Sequence, residues 1–332
     1  MTRHPRSILV TLMLGTLVVS LLGCSDGGTI ETATLTDTAT TAVGIALPDG
    51  AIPVDDPFSG GYPTYDDEAT GLRVVFGTPD LGAGTSRVSF ALFDDVGLIS
   101  FPVLNVSTRF YPDGAEGDFQ SGDGGQLRFY PFPQGSRGIY AGELSFPSAG
   151  LWALDVSVPQ ASGDTAHVVF PVEVAEEADA PEVGDTAPAS DSRTAADQPD
   201  LHELTTSSEP DPRLYQTSIA SALDRGEPFV VVFASPAFCT NALCGPQVEV
   251  LSELADEHGD DAAFIHVDLY ENPREIQGDF SLARRTPVLD EWGLHTDEWT
   301  FVVNADGIVT ARFEGFAPRE EVEAALVAAL DG

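Results

Sequence analysis

Phe229-Val230-Val231-Val232-Phe233-Ala234-Ser235-Pro236-Ala237-Phe238-Cys239-Thr240-Asn241-Ala242-Leu243-Cys244-Gly245-Pro246-Gln247 decides how the chain folds. Five consecutive β-branched and aromatic residues, 229–233, make a strand buried on both faces. Pro246 suits the first position of a helix, because its missing N–H would have had no partner there. Val248, Leu251, Leu254 and Ala255 then recur at helical spacing and stop at His258-Gly259. Two cysteines therefore lie between a buried strand and the helix that follows it. Residues five apart on a helix are roughly 8–9 Å from each other, beyond the reach of a disulfide. The spacing places Cys239 in the loop and only Cys244 at the helix mouth.

The surroundings extend this pattern over 213–332. Ile219, Ala220 and Leu223 give an amphipathic start before Gly226, and Phe264-Ile265-His266-Val267 is a second strand. Thr300–Val303 and Ile308–Phe313 form a hairpin through Asp306-Gly307. A last helix opens at Pro318 and presents Val322, Ala325, Leu326 and Ala329 on one face. His266, within a strand, is expected to be structural.

Strand, cysteine loop, helix, strand, hairpin and helix is an order that resembles the thioredoxins, and Cys244-Gly245-Pro246-Gln247 resembles their dithiol motif with Gln247 in place of the second cysteine. The likeness covers about 120 residues, a little over a third of the chain. It implies an α/β thioredoxin-like domain that exchanges thiols and disulfides through Cys239 and Cys244, with Pro246 at the helix start. A thiolate at a helix N-terminus is stabilised by unpaired N–H groups and the dipole, so Cys244 is the expected attacking thiol and Cys239 the resolving one. Two features differ from the family: the spacing is C-x4-C, and Glu298 or its neighbour stands where thioredoxins carry a proline against the dithiol. An alternative resemblance is to copper chaperones of the Sco type, which share the fold and use two cysteines with a histidine shortly before the corresponding strand. His295, five residues before Thr300, falls there and would join Cys239 and Cys244 as a copper ligand. A third reading makes the pair a structural bridge in a redox-idle binding or scaffold protein. Thiol exchange needs no cofactor; copper enters only with the alternative.

Upstream, residues 176–212 are acidic and proline-bearing, with Arg193 as their single cation. Like charges repel, so the segment is expected to be an extended, disordered linker. Residues 68–175 are all-β by pattern: Val88, Phe90 and Leu92 alternate with polar or small residues, as do Trp152, Leu154, Val156 and Val158, and again Phe170, Val172 and Val174. Gly150-Leu151-Trp152 resembles the late strand of immunoglobulin-like sandwiches in secreted bacterial proteins, which implies a β-sandwich of that type. Residues 24–67, rich in Thr, Ala, Gly and Asp, read as a flexible tether.

The N-terminus carries Arg3, His4 and Arg6 before the apolar run 8–22, ending Leu21-Leu22-Gly23-Cys24. This resembles a bacterial lipobox, which implies that 1–23 is a signal peptide and that Cys24 is lipidated. The protein is then held at the extracytoplasmic face of the cell membrane by acyl chains, and exported thiol proteins are its expected substrates. The balance of 53 acids against 15 basic residues, all arginine, gives a net charge of −38 and argues against nucleic acid as a partner. No methionine follows Cys24, unlike thioether-rich copper carriers.

Overall fold

The computed structural model describes residues 62–331, apart from 134–136, 239–243, 277–278 and the side chain of Cys244. The expected signal peptide, most of the tether, and the lipidation at Cys24 lie outside the described residues, as does Cys239. No helix among the described residues is long and apolar enough to cross a membrane.

The β unit is built from β1 (Thr64–Asp67), β2 (Leu72–Phe76), β3 (Gly84–Phe93), β4 (Val103–Tyr111), β5 (Gln120–Ser121), β6 (Gly125–Pro131), β7 (Gly138–Phe146), β8 (Gly150–Pro159) and β9 (Thr165–Val174). The alternating apolar residues point inward as the pattern requires: Val88, Phe90, Leu92, Trp152, Leu154, Val156, Phe170 and Val172 share one buried cluster. In place of two facing sheets, the ladder is continuous, in the order β1-β2-β3-β7-β6-β4-β8-β9, with β5 paired to β4. The sheet curls until its ends meet, and Tyr65 of β1 stacks on Phe170 of β9 at 5.2 Å. Alternation dictates which face is buried but is silent on which strand pairs with which.

The α/β unit follows as α1 (Ile219–Arg225), β10 (Phe229–Phe233), α2 (Cys244–His258), β11 (Ala263–Val267), α3 (Pro273–Ile276), α4 (Pro287–Glu291), β12 (Trp299–Val303), β13 (Val309–Glu314) and α5 (Arg319–Asp331). Its sheet runs β11-β10-β12-β13, parallel between β10 and β11 and antiparallel elsewhere. One face packs on α2 and α5 through Val230, Val232, Val302, Leu251, Leu254 and Leu326. The other face packs on α1 and α4 through Phe229, Val231, Phe233, Ile219 and Leu289. Two covered faces explain why all five residues of β10 are buried.

Residues 176–212 correct the expectation of a disordered linker. They run along the α/β unit, where Gly184 and Ala187 donate to the carbonyls of Val309 and Gly307 and Asp185 accepts from Val309 N, all at 2.9 Å. The Trp292 indole donates to Ser190 Oγ at 3.1 Å, and Ser192 Oγ accepts from Ile219 N at 3.1 Å. Arg274 pairs with Asp200 and Glu203, and Arg312 donates to Ala180 O, so basic groups offset part of the expected repulsion. Small Ala, Ser and Thr side chains allow a close approach to a sheet edge, and the same composition reads as a tether when no surface is known.

The β unit and the α/β unit also share a core. Phe132, Ile139 and Ala141 belong to the cluster that contains Phe316, Val322 and Leu326. Arg87 of β3 pairs with Glu321 at 2.8 Å and donates to Phe316 O at 2.9 Å, and Arg312 of β13 pairs with Asp80 at 2.7 Å.

Candidate functional site

The register of the smaller sheet gathers the site. Phe233 at the end of β10 is paired with Val267 at the end of β11 and with Trp299 at the start of β12. The segments leaving or entering these three points therefore meet at one end of the sheet: Ser235–Phe238, the residue after β11, Asp268, and the residues before β12, His295–Glu298. Cys244 is the first residue of α2, with half-buried Pro246 two positions on. A helix start presents N–H groups that no carbonyl of the helix accepts, which favours negative charge on a thiol held there.

The strand-to-loop turn is fixed by a polar network. His266 Nε2 donates to Ala234 O at 2.9 Å, and Tyr215 Oη donates to His266 Nδ1 at 2.7 Å. Both imidazole nitrogens are thus satisfied in the neutral ring, and burial pushes the pKa of His266 down to about 4. This histidine is structural. Thr206 Oγ1 accepts from Ala237 N at 3.1 Å and donates to Asp268 Oδ2 at 3.0 Å. Burial raises Asp268 to about 6, against the opposing effect of the hydrogen bonds from Thr206 and Tyr270. Beyond the turn, Phe238 packs edge-on against Phe280 at 5.3 Å and Tyr270 at 6.3 Å.

Glu298 takes the position before β12, where its side chain is fully buried and neither carboxylate oxygen has a hydrogen-bond partner. Its pKa lies well above the usual carboxylate range, first from burial and then from the charge of Asp297, with Arg87 opposing. Burial therefore favours the neutral acid at Glu298 over the carboxylate. Gln247 is also fully buried; its Oε1 accepts from Ala317 N at 2.9 Å while its Nε2 has no partner. Gln247 thus ties α2 to the segment entering α5.

His295 is exposed, and its Nε2 lies 3.2 Å from Asp179 Oδ2. Among the described residues one group could offer three metal ligands, Glu257, His258 and Glu323. Arg319 already spans its two carboxylates, at 2.7 and 3.2 Å, so the cluster carries its own cation.

Sequence reasoning missed Asp268, Thr206 and the burial of Gln247. A charged residue directly after the apolar run 263–267 was a usable signal for Asp268; Thr206 sat in a stretch read as linker and gave none.

No protein-family model matches the chain, and no curated protein is significantly similar to it. Among solved structures, a protein described as a thiol:disulfide interchange protein DsbE, from Chlorobium tepidum, is 18% identical at a TM-score of 0.26, covering 32% of this chain and 82% of its own. The pneumococcal exposed lipoprotein thioredoxin Etrx1, from Streptococcus pneumoniae, is 15% identical at a TM-score of 0.26, covering 32% of this chain and 89% of its own. These are similarities of a third of the chain and carry no function across to it.

Proposed function

We propose that this is a lipid-anchored extracytoplasmic protein whose thioredoxin-like α/β unit exchanges thiols and disulfides through Cys239 and Cys244. The observation that supports it best is the placement of Cys244 as the first residue of α2, directly beyond the buried strand β10. In the reducing direction the Cys244 thiolate attacks a substrate disulfide, forms a mixed disulfide and expels one substrate thiolate. Cys239, after giving its proton to solvent, attacks the Cys244 sulfur and releases the second substrate thiol. Two electrons pass to the substrate and the pair ends as a disulfide. The expected substrates are exported proteins, since the lipid on Cys24 would hold the site outside the membrane.

Alkylation of the reduced protein at mildly acidic pH should modify Cys244 before Cys239, and Cys244→Ser should abolish exchange with a model disulfide. Equal alkylation of both thiols together with no exchange overturns the proposal. The copper alternative is separated by His295→Ala, which lowers copper affinity only if His295 is a ligand. Detergent partitioning tests the anchor: Cys24→Ala should release the protein or leave it unprocessed.

A further inference from the structure

Asp268 takes no part in the exchange chemistry above, yet it is buried at the sheet end and bonded toward the cysteine loop. Its Oδ2 accepts from Thr206 N at 2.7 Å and from Thr206 Oγ1 at 3.0 Å, and its Oδ1 accepts from Tyr270 N at 3.2 Å. Thr206 Oγ1 in turn accepts from Ala237 N at 3.1 Å and meets Ser235 Oγ at 3.1 Å. A hydroxyl has one proton and two lone pairs. With its proton on Asp268, Thr206 can accept from both Ala237 N and Ser235 Oγ, so its hydroxyl is fully used. The direction of the whole relay follows from a carboxylate at its inner end.

We propose that Asp268 is a positioning residue for the thiol pair: through the Thr206 hydroxyl its carboxylate sets the backbone course of Ser235–Ala237, two residues before Cys239. This rests on the thiol-exchange reading. It also gives the docked acidic segment a role, since Thr206 comes from that segment and reaches the loop only because 176–212 lies on the α/β unit.

Protonating Asp268 takes the charge from the acceptor that orients Thr206, weakens the bonds Thr206 makes to it and loosens the turn. The other titratable groups around it are Tyr215, bonded to His266, and Tyr270; all three stay neutral near pH 6, where Asp268 titrates. Charged groups farther out act on those tyrosines: Asp211, which pairs with Arg213, and Asp297 and Arg285 near Tyr270. The turn should therefore loosen as pH falls through about 6.

The test uses the reduced full-length chain as wild type, Asp268→Asn, Thr206→Val and Thr206→Ser. Two readouts are followed from about pH 5 to about pH 8: hydrogen exchange of the Ala237 amide and iodoacetamide alkylation of each cysteine. In the wild type the Ala237 amide should be protected above the Asp268 transition and lose protection below it. Asp268→Asn and Thr206→Val should expose that amide by about tenfold at neutral pH and remove the transition from the alkylation profile. Thr206→Ser keeps the hydroxyl and should keep both. If Asp268→Asn does not fold, the two Thr206 variants decide alone. Unchanged amide protection in Thr206→Val, or an alkylation profile that ignores its loss, overturns the proposal. A wild type that binds and reacts but exchanges no model disulfide removes the thiol function while leaving the amide result to stand.

Discussion

Phe316 is the place to test whether the β unit and the α/β unit fold as one body. It is 1% exposed, and its ring meets Phe132 edge-on at 4.8 Å, so one aromatic pair closes the core the two units share. Phe316→Ala leaves a cavity in the shared core and should cost about 3–5 kcal/mol. That is a large part of a typical domain's stability of about 5–15 kcal/mol. Phe132→Ala, from the connection between β6 and β7, should fall near the low end of the same range. Because the rings touch, the double variant should lose less than the sum, by about 0.5–1.5 kcal/mol. Urea unfolding followed by tryptophan fluorescence is the assay. Trp152 reports the β unit, and Trp292 and Trp299 report the α/β unit; all three are buried. Trp152→Phe leaves only the α/β reporters, so the two units can be followed separately. The expected result is one transition seen alike by all reporters, shifted for all of them by either alanine. If Phe132→Ala moves the Trp152 transition and leaves the others in place, the shared core does not couple the units and the argument fails.

Limited proteolysis should leave 176–212 intact until global unfolding, because its backbone is bonded to Gly307 and Val309; early cleavage there would show the segment undocked. Stability should fall as pH rises from about 4.5 toward about 8, since burial raises Glu314 from 4.5 to about 8. The folded state holds that proton and the unfolded state releases it, so stability is fully present below the unfolded value and lost through the folded one. Glu314→Gln should flatten this slope in urea titrations at several pH values, and an unchanged slope would refute the assignment. Glu298→Leu removes two buried oxygens without partners and should stabilise the protein at neutral pH by about 1–3 kcal/mol in the same assay; a loss of stability would mean they are satisfied in solution.

The sequence by itself determined the elements and the faces they bury. The continuous run Phe229–Phe233 needs two covered faces, while the helical spacing of Val248, Leu251 and Leu254 and the alternation around Phe90, Leu154 and Phe170 each carry a period that one buried face satisfies; all are buried as expected. The position of Cys244 at a helix start followed from spacing alone, because five helical residues outreach a disulfide. Tertiary structure decided what periodicity does not encode. Strand partners in the β unit depend on distant backbone, so a sandwich was expected where one curled ladder forms. The acidic segment 176–212 was legible only as polar and charged; its small residues became structural when a sheet edge, Trp292 and several arginines met them. Asp268 and Thr206 are 62 positions apart, and nothing local announces that one will orient the other. Local periods are set by the geometry of one turn or one pleat, while a hydrogen-bond relay across a sheet end exists only once the chain has closed on itself.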